Sequence, residues 1–117
     1  MSNLENKLKK IVNTFNNINK KVAYKDIVKL SEKYHKNLSV LNLLSQIAQK
    51  MGDVDTCINS LKKILLIEKN NIETLSKIYK LFLTKSFLDQ ALENINLILQ
   101  IDEGHYEAIR DKAYVYF

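Results

Sequence analysis

A fixed repeat period is the feature that most limits what this chain can fold into. When the sequence is shifted against itself by 34 positions, small or apolar residues coincide in several columns. These columns are Ala23, Cys57 and Ala91; Ile27, Leu61 and Ile95; Leu30, Ile64 and Ile98; and Leu41, Leu75 and Ile109. Several columns with one offset indicate stacked copies of a single unit, each packing on its neighbours. The 117 residues hold three such units and one additional helix.

The spacing within a unit is helical. Leu41, Leu44 and Ala48 lie on one arc at about 100° per residue, and Gln46 lies on the opposite arc. Two Gly and no Pro in the whole chain argue against a protein built from strands and tight turns. The pattern predicts seven helices, at about 4–18, 21–34, 39–51, 54–68, 72–84, 87–101 and 106–117.

Polar residues between these segments predict where helices begin and end. Gly52 can end one helix, and Asp53 and Asn71 can cap the next ones. The segment from Ser86 to Asp89 has the form of a capping box, with Asp in place of the usual Glu. No linker or low-complexity tract interrupts the chain, so we expect one domain over 1–117, with hairpin units at about 4–37, 38–71 and 72–105 and a terminal helix at 106–117.

The repeat resembles the tetratricopeptide repeat (TPR). The resemblance rests on the period, on Leu41-x-x-Leu44 followed by Gly52-Asp53, and on the small-residue column containing Cys57. The family's usual Pro after the second helix is absent, and Tyr79 stands where the family has a small residue. The resemblance implies an all-α solenoid of antiparallel helix hairpins, wound into a right-handed superhelix whose first helices line a concave groove for a protein partner.

The groove that the resemblance implies is lined by the polar arcs of the first helices. These residues are Lys9, Asn13, Asn16, Asn42, Gln46, Gln49, Glu73, Ser76, Lys80, Arg110 and Tyr114. Side-chain amides both donate and accept hydrogen bonds, which suits the backbone of an extended peptide. The alternative is that these residues are only the solvated faces of amphipathic helices. A clamp for a C-terminal carboxylate, known in some TPR domains, is disfavoured because Glu73 stands where a base is needed.

Positive charge is concentrated in the first third of the chain. Residues 1–37 carry nine Lys against three acidic residues, whereas residues 38–117 carry nine basic and ten acidic residues. Lys21, Lys25, Lys29 and Lys33 recur every four residues and form a basic ridge on the second helix. The ridge is a solvated face or a docking surface for nucleic acid, anionic lipid or an acidic protein. A nucleic-acid partner is disfavoured because Arg110 is the one arginine among eighteen basic residues.

No catalytic or metal-binding pattern is present in the sequence. His35 and His105 fall in turns between units, where turn or cap roles are expected, and Cys57 fits a buried, unreactive thiol. We therefore expect no enzyme activity, no cofactor and no metal. The longest apolar run, Ile64–Ile67, is too short to span a membrane, and no secretory signal is visible, so we expect a cytoplasmic protein.

The last predicted helix ends in an apolar segment that contains Tyr114, Tyr116 and Phe117. Lys112, in a column that is otherwise apolar, favours a capping helix, whereas the aromatic residues favour a longer array or a homodimer through this helix. The expected function is a protein-interaction scaffold that captures a peptide or helix of a partner in the groove. The alternatives are the N-terminal substrate-recruiting segment of a larger enzyme, such as a sugar- or sulfo-transferase, and a basic nucleic-acid-binding adaptor.

Overall fold

The computed structural model describes residues 3–116, which form seven α-helices and no strand. The helices are α1 (Asn3–Asn17), α2 (Lys20–Lys33), α3 (Leu38–Lys50), α4 (Val54–Ile67), α5 (Ile72–Thr84), α6 (Leu88–Ile101) and α7 (Tyr106–Tyr116). Each described boundary lies within one residue of its prediction; the predicted last residue, Phe117, lies outside the described residues. The starts of α3, α5 and α7 are separated by the repeat period, and so are the starts of α2, α4 and α6.

One position of the repeat caps the first helix of each later unit. The side chains of Asn37, Asn71 and His105, again spaced by one period, each precede a helix and accept a hydrogen bond from a backbone N–H in its first turn. The distances are 3.1 Å for Asn37, 3.0 Å for Asn71 and 3.2 Å for Nδ1 of His105. The predicted cap at Asn71 and the predicted cap or turn role of His105 are therefore confirmed.

The turns that follow α3 and α5 share one geometry. Gly52 and Ser86, which occupy equivalent positions of successive units, have φ values of +79° and +61°. After each, a backbone N–H reaches back over the end of the helix, from Asp53 to the carbonyl of Ala48 at 2.8 Å and from Phe87 to the carbonyl of Phe82 at 2.9 Å. This is the left-handed helix ending that glycine favours. The prediction that Gly52 ends a helix is confirmed.

The capping box predicted from Ser86 to Asp89 is wrong. Phe87 is the N-cap residue of α6, and no side-chain cap bond forms there. Ser86 lies one residue too early, because its backbone completes the left-handed turn that ends α5. The residue at the equivalent position before α4, Asp53, does cap its helix, accepting from the backbone N–H of Thr56 at 3.2 Å.

The structure divides into two compact units, residues up to 63 and residues from 64 onward, and each is described by itself. In the first unit, α1 packs on α2 and α2 packs on α3. The apolar residues of their shared core include Ile11, Phe15, Ala23, Ile27, Val40, Leu44 and Ile47. Ala23 is completely buried, as the small-residue column predicts. Cys57 of the same column is 1% exposed, which confirms the predicted buried thiol.

In the second unit, α6 packs against both α5 and α7. The buried residues include Leu75, Ile78, Ala91, Ile95, Ile98 and Ala108. The rings of Phe82 and Phe87 lie 6.3 Å apart, so an aromatic pair links the end of α5 to the start of α6.

A buried or half-buried tyrosine in each unit donates its hydroxyl to an aspartate far away in sequence. Tyr24 donates to Asp53, which also accepts the hydroxyl of Thr56 at 2.8 Å. Tyr79, fully buried, donates to Asp111 of α7 at 2.5 Å. Each bond connects a helix to a residue 29 or 32 positions later in the sequence, and so links two parts of the same unit.

These bonds shift the pKa values of both partners. The hydrogen bond from Tyr24, followed by those from Thr56, lowers the pKa of Asp53. Burial raises the pKa of Asp111, but the hydrogen bonds from Tyr79 and Arg110 outweigh it and leave that pKa lowered. Burial first, and the bond to Asp111 second, raise the pKa of Tyr79. Folding therefore favours the ionised aspartate and the neutral tyrosine.

Exchanging the two turn residues tests the left-handed ending. Ser86→Gly removes the strain of a side chain at positive φ and is expected to raise the free energy of unfolding by about 0.5–1 kcal/mol, after the larger entropy of unfolded glycine is subtracted. Gly52→Ser is expected to lower it by about 0.5–1 kcal/mol, since nothing lies within 4 Å of an added Cβ and the strain at positive φ exceeds the gain from the smaller entropy of the unfolded chain. Urea denaturation followed by circular dichroism measures both. Equal destabilisation by both changes would contradict the shared turn geometry.

The Tyr79 bond predicts a pH-dependent loss of stability. Tyr79→Phe is expected to cost about 2 kcal/mol near neutral pH, because Asp111 loses a donor to its charged form. An aspartate whose pKa is lowered by folding stabilises the fold above its unfolded pKa, and this stabilisation disappears as the pH falls through the folded pKa. A tyrosine with a raised pKa loses its contribution as the pH rises above about 10.

The difference between the wild type and Tyr79→Phe should therefore shrink at both ends of the pH range. Urea midpoints measured from pH 2.5 to pH 10.5 test this, with Tyr106→Phe as the matched control because Tyr106 is 74% exposed. A difference that stays constant across this range would show that the lost hydroxyl acts by packing alone.

Candidate functional site

Residues predicted for the groove meet in the first unit at a small cleft between α1 and α3. The cleft has a volume of about 80 Å³. It is lined by Val12, Phe15, Asn16, Leu43, Gln46, Ile47 and Lys50, and is called the α1–α3 cleft below. Of the predicted residues in this unit, Asn16 and Gln46 lie at the cleft. The others, Lys9, Asn13, Asn42 and Gln49, are exposed but do not line it.

The cleft has an aromatic and cationic side as well as an amide side. Phe15 is 7% exposed, and the ammonium groups of Lys20 and Lys50 lie 5.5 Å and 5.7 Å from its ring centroid. Such cation–π contacts hold both lysines beside the ring. Phe15 was not among the residues predicted for the groove, because those were taken from the polar arcs of the first helices and Phe15 is apolar. Lys50 lies on the same polar arc as Gln46, which is the signal that would have found it.

In the second unit, two of the predicted groove residues, Lys80 and Arg110, share one acidic partner. Lys80 lies 2.8 Å from Glu107, whose carboxylate is also 4.0 Å from Arg110. The hydrogen bond and charge of Lys80 lower the pKa of Glu107, and the hydrogen bond of Arg110 to Asp111 raises the pKa of Arg110. Lys80 and Arg110 are therefore brought together, but their charges are largely neutralised within the chain.

The other predicted residues of this unit stand apart. Glu73 pairs with Lys77 at 3.2 Å, one helical turn away on the same helix. Ser76 is half-buried, and Tyr114 is 76% exposed. None of these three lies in the network formed by Lys80, Glu107 and Arg110. The role of Glu73, Ser76 and Tyr114 in binding a partner stays a prediction.

The basic ridge lies on the exposed side of α2. Lys21, Lys25, Lys29 and Lys33 are all exposed. Within residues 3–116 none of them forms an ion pair, in contrast to Lys77, Lys80 and Arg110 of the second unit. The ammonium group of Lys33 lies 5.4 Å from the ring of Tyr34. In the described part of the chain, the positive charge of the ridge is therefore not held in ion pairs.

Reactive residues are kept apart in the part of the chain that the structure describes. His105 is occupied as the cap of α7, and His35 is exposed in the turn between α2 and α3. Among residues 3–116 no three His, Cys, Asp or Glu side chains form a group that could hold a metal ion. Across the same residues, no helix combines the length and the apolar character needed to cross a membrane.

Comparisons with known proteins show the fold. No protein-family model and no curated protein matches the sequence. Among solved structures, a MamA protein is similar with a TM-score of 0.77 at 15% identity, over 97% of this chain and 62% of that one. SycD, a type III secretion translocator chaperone of Yersinia enterocolitica, is similar with a TM-score of 0.71 at 18% identity, over 97% of this chain and 81% of that one.

SycD in complex with a peptide of the translocator YopD gives a TM-score of 0.70 at 18% identity, over 97% of this chain and 86% of that one. This chain matches 62% of the MamA chain, which is less than two thirds of that chain's length. Identities of 15% and 18% carry the fold and nothing finer. The chain has an all-α, TPR-like helical-repeat fold.

Proposed function

We propose that the chain is a protein-interaction scaffold that captures a peptide of a partner protein at the α1–α3 cleft. The observation that carries the proposal is the placement of two amide side chains, Asn16 and Gln46, at a cleft that also has apolar side chains and Phe15 in its wall. The structure of SycD in complex with a peptide supports it, since a chain of similar fold binds a peptide.

The chemistry of the cleft favours one kind of ligand. Amide groups offer both donors and acceptors to a peptide backbone, whose N–H and C=O groups alternate along the chain. A volume of about 80 Å³ suits one aliphatic side chain and is well below the roughly 300–1,000 Å³ of small-molecule sites. Lys50 at the edge adds a donor for a carbonyl or carboxylate of the peptide. We infer an extended segment that inserts one apolar side chain beside Phe15.

The proposal assigns the chain no reaction, cofactor or metal of its own. It places the chain in the cytoplasm, where reducing conditions suit the buried thiol of Cys57. If the chain is the recruiting segment of a larger enzyme, the same cleft would select that enzyme's substrate, and the peptide chemistry inferred here would be unchanged.

Self-association through α7 is a second proposal, and it rests on exposure. Ile109 and Tyr116 lie in repeat columns whose members Leu75 and Phe82 are 1% and 7% exposed. On α7 the same columns are 47% exposed at Ile109 and 66% exposed at Tyr116. An apolar face of this kind, on a helix that buries only Ala108 completely, can pair with the same face of a second copy.

Replacing the two amides tests peptide capture. A peptide is first selected from a random library against the wild-type chain, and its Kd is then measured by fluorescence anisotropy. Asn16→Ala/Gln46→Ala is expected to weaken binding about tenfold to thirtyfold, through the loss of two hydrogen bonds of about 1 kcal/mol each. Gln90→Ala/Gln100→Ala, which removes two exposed amides from α6, is the matched control and should leave Kd unchanged. Equal affinities in all three proteins would refute the α1–α3 cleft as the site.

Sedimentation velocity over a range of concentrations tests the α7 pairing. The wild type is expected to move from 13.6 kDa toward twice that mass as its concentration rises. Ile109→Asp/Tyr116→Ser should stay monomeric, because a charge in the centre of the face cannot be buried without a partner. Leu66→Asp, at a residue that is 83% exposed on α4, is the control and should behave as the wild type. A wild type that is monomeric at every concentration would rule the pairing out.

A further inference from the structure

The first hairpin carries a second groove, between α1 and α2, that is distinct from the α1–α3 cleft. Its volume is about 630 Å³. Lysines line both of its banks, Lys7 and Lys10 from α1 and Lys29 and Lys33 from α2. We call it the basic groove. Two members of the basic ridge, Lys29 and Lys33, thus form one bank of a groove whose other bank is on α1.

The floor of the basic groove is apolar. Ile11, which is 6% exposed, and the half-buried Leu30 lie between the lysines. The part of α2 that lines the groove runs from 26 to 33, which is about 12 Å or two helical turns. A segment with an apolar stripe and charged flanks matches a floor and banks of this kind.

The charges on the banks are available to a partner. Among residues 3–116, Lys7, Lys10 and Lys29 form no ion pair. On a helix face that only contacts solvent, lysines can pair with acidic residues four positions away, as Lys77 pairs with Glu73 on α5. On α1 the groove-facing Lys7 and Lys10 have no such neighbour among the residues that line the groove.

The two banks differ in sign pattern, and the difference identifies the partner. The α1 bank presents only lysines, whereas the α2 bank also presents Asp26 and Glu32. A phosphate backbone or an anionic membrane carries one sign of charge throughout, so these two carboxylates would repel it. The lining also offers no arginine and no aromatic ring for bases to stack on. A protein segment can place acids on one edge and both signs on the other.

We propose that the basic groove binds an amphipathic helix of a partner protein. In the proposed complex, apolar residues of the partner helix, spaced i, i+3/i+4 and i+7, lie over Ile11 and Leu30 of this chain. The edge of the helix that faces α1 is acidic, and the edge that faces α2 carries both signs of charge. The proposal goes beyond peptide capture at the α1–α3 cleft, because the surface, the conformation of the ligand and its charge are all different.

A charge exchange tests the proposal on the full chain. The probe is a synthetic 16-residue helical peptide with a leucine stripe, glutamates along one edge and alternating lysine and glutamate along the other. A second peptide carries lysines in place of the glutamate edge. Anisotropy gives Kd for both peptides with the wild type, with Lys7→Glu/Lys10→Glu, and with Lys63→Glu/Lys69→Glu, a control that changes the net charge equally at exposed residues outside the groove.

The wild type is expected to bind the acidic-edge peptide more tightly than the lysine-edge peptide. Lys7→Glu/Lys10→Glu should weaken binding of the acidic-edge peptide about tenfold and reverse the order of the two affinities. This size follows from two exposed charge pairs, each worth about 0.2–1 kcal/mol, that turn from attraction to repulsion. The control should keep the wild-type preference, and 0.5 M salt should reduce it. Circular dichroism confirms that each variant is folded, so that a lost interaction is not a lost fold.

Three results would overturn the proposal. The first is equal weakening by Lys7→Glu/Lys10→Glu and by the control, which would mean that only net charge matters. The second is the absence of any reversal with the lysine-edge peptide. The third is tighter, Lys7/Lys10-dependent binding of a 16-nucleotide RNA or of vesicles made from phosphatidylcholine and phosphatidylserine in a three-to-one ratio, which would assign the groove to a polyanion. Asn16→Ala/Gln46→Ala should leave peptide binding at the basic groove unchanged, so this proposal and the α1–α3 cleft can fail separately.

Discussion

The first four N–H groups and the last four carbonyl groups of an α-helix have no partner within it and need one outside it. A chain of helices 11 to 15 residues long has this need at many helix ends. In residues 3–116 the partners are supplied at a fixed interval. The side chains of Asn37, Asn71 and His105 accept the N–H groups at three helix starts, and the N–H groups of residues 53 and 87 close two helix ends. Because starts and stops share the spacing of the repeat, the apolar columns return to the same side of each hairpin, and the cores of both units follow from that alignment.

Much of the fold could be predicted because its determinants are local or periodic. A helix start depends on one cap and the next three residues, and a core column depends on residues that recur at one offset, so Asn71, Asp53 and the burial of Cys57 were all readable from sequence. Ser86 shows where such reasoning fails. Serine suits both a helix cap and, less well, a left-handed turn, and the local sequence does not say which. The equivalent position of the preceding unit favours the turn, since glycine, as at Gly52, is the residue that left-handed helix endings prefer.

The candidate sites were less predictable, because they depend on which exposed residues meet. Asn16 and Gln46 were expected on one surface and do share the α1–α3 cleft. Phe15 belongs to the core and also forms part of the cleft wall, and a pattern that assigns each residue to one face of a helix cannot predict both. Lys80 and Arg110 were expected to line the groove, but both lie close to Glu107, which comes 27 positions after Lys80. A pair so distant in sequence leaves no periodic trace.

The uneven distribution of charge acquires a physical meaning from these contacts. Nine basic residues beyond position 37 are balanced by ten acids, and those of α5 and α7 that form ion pairs lose most of their field within the chain. Lys7 and Lys10 of α1 and Lys29 of α2 form no ion pair within residues 3–116, so their field extends into solvent, where physiological salt screens it within about 8 Å. A partner therefore senses the basic groove only when it is nearly in contact. Under that condition the pattern of single charges on each bank, rather than the net charge of the hairpin, decides which partner stays.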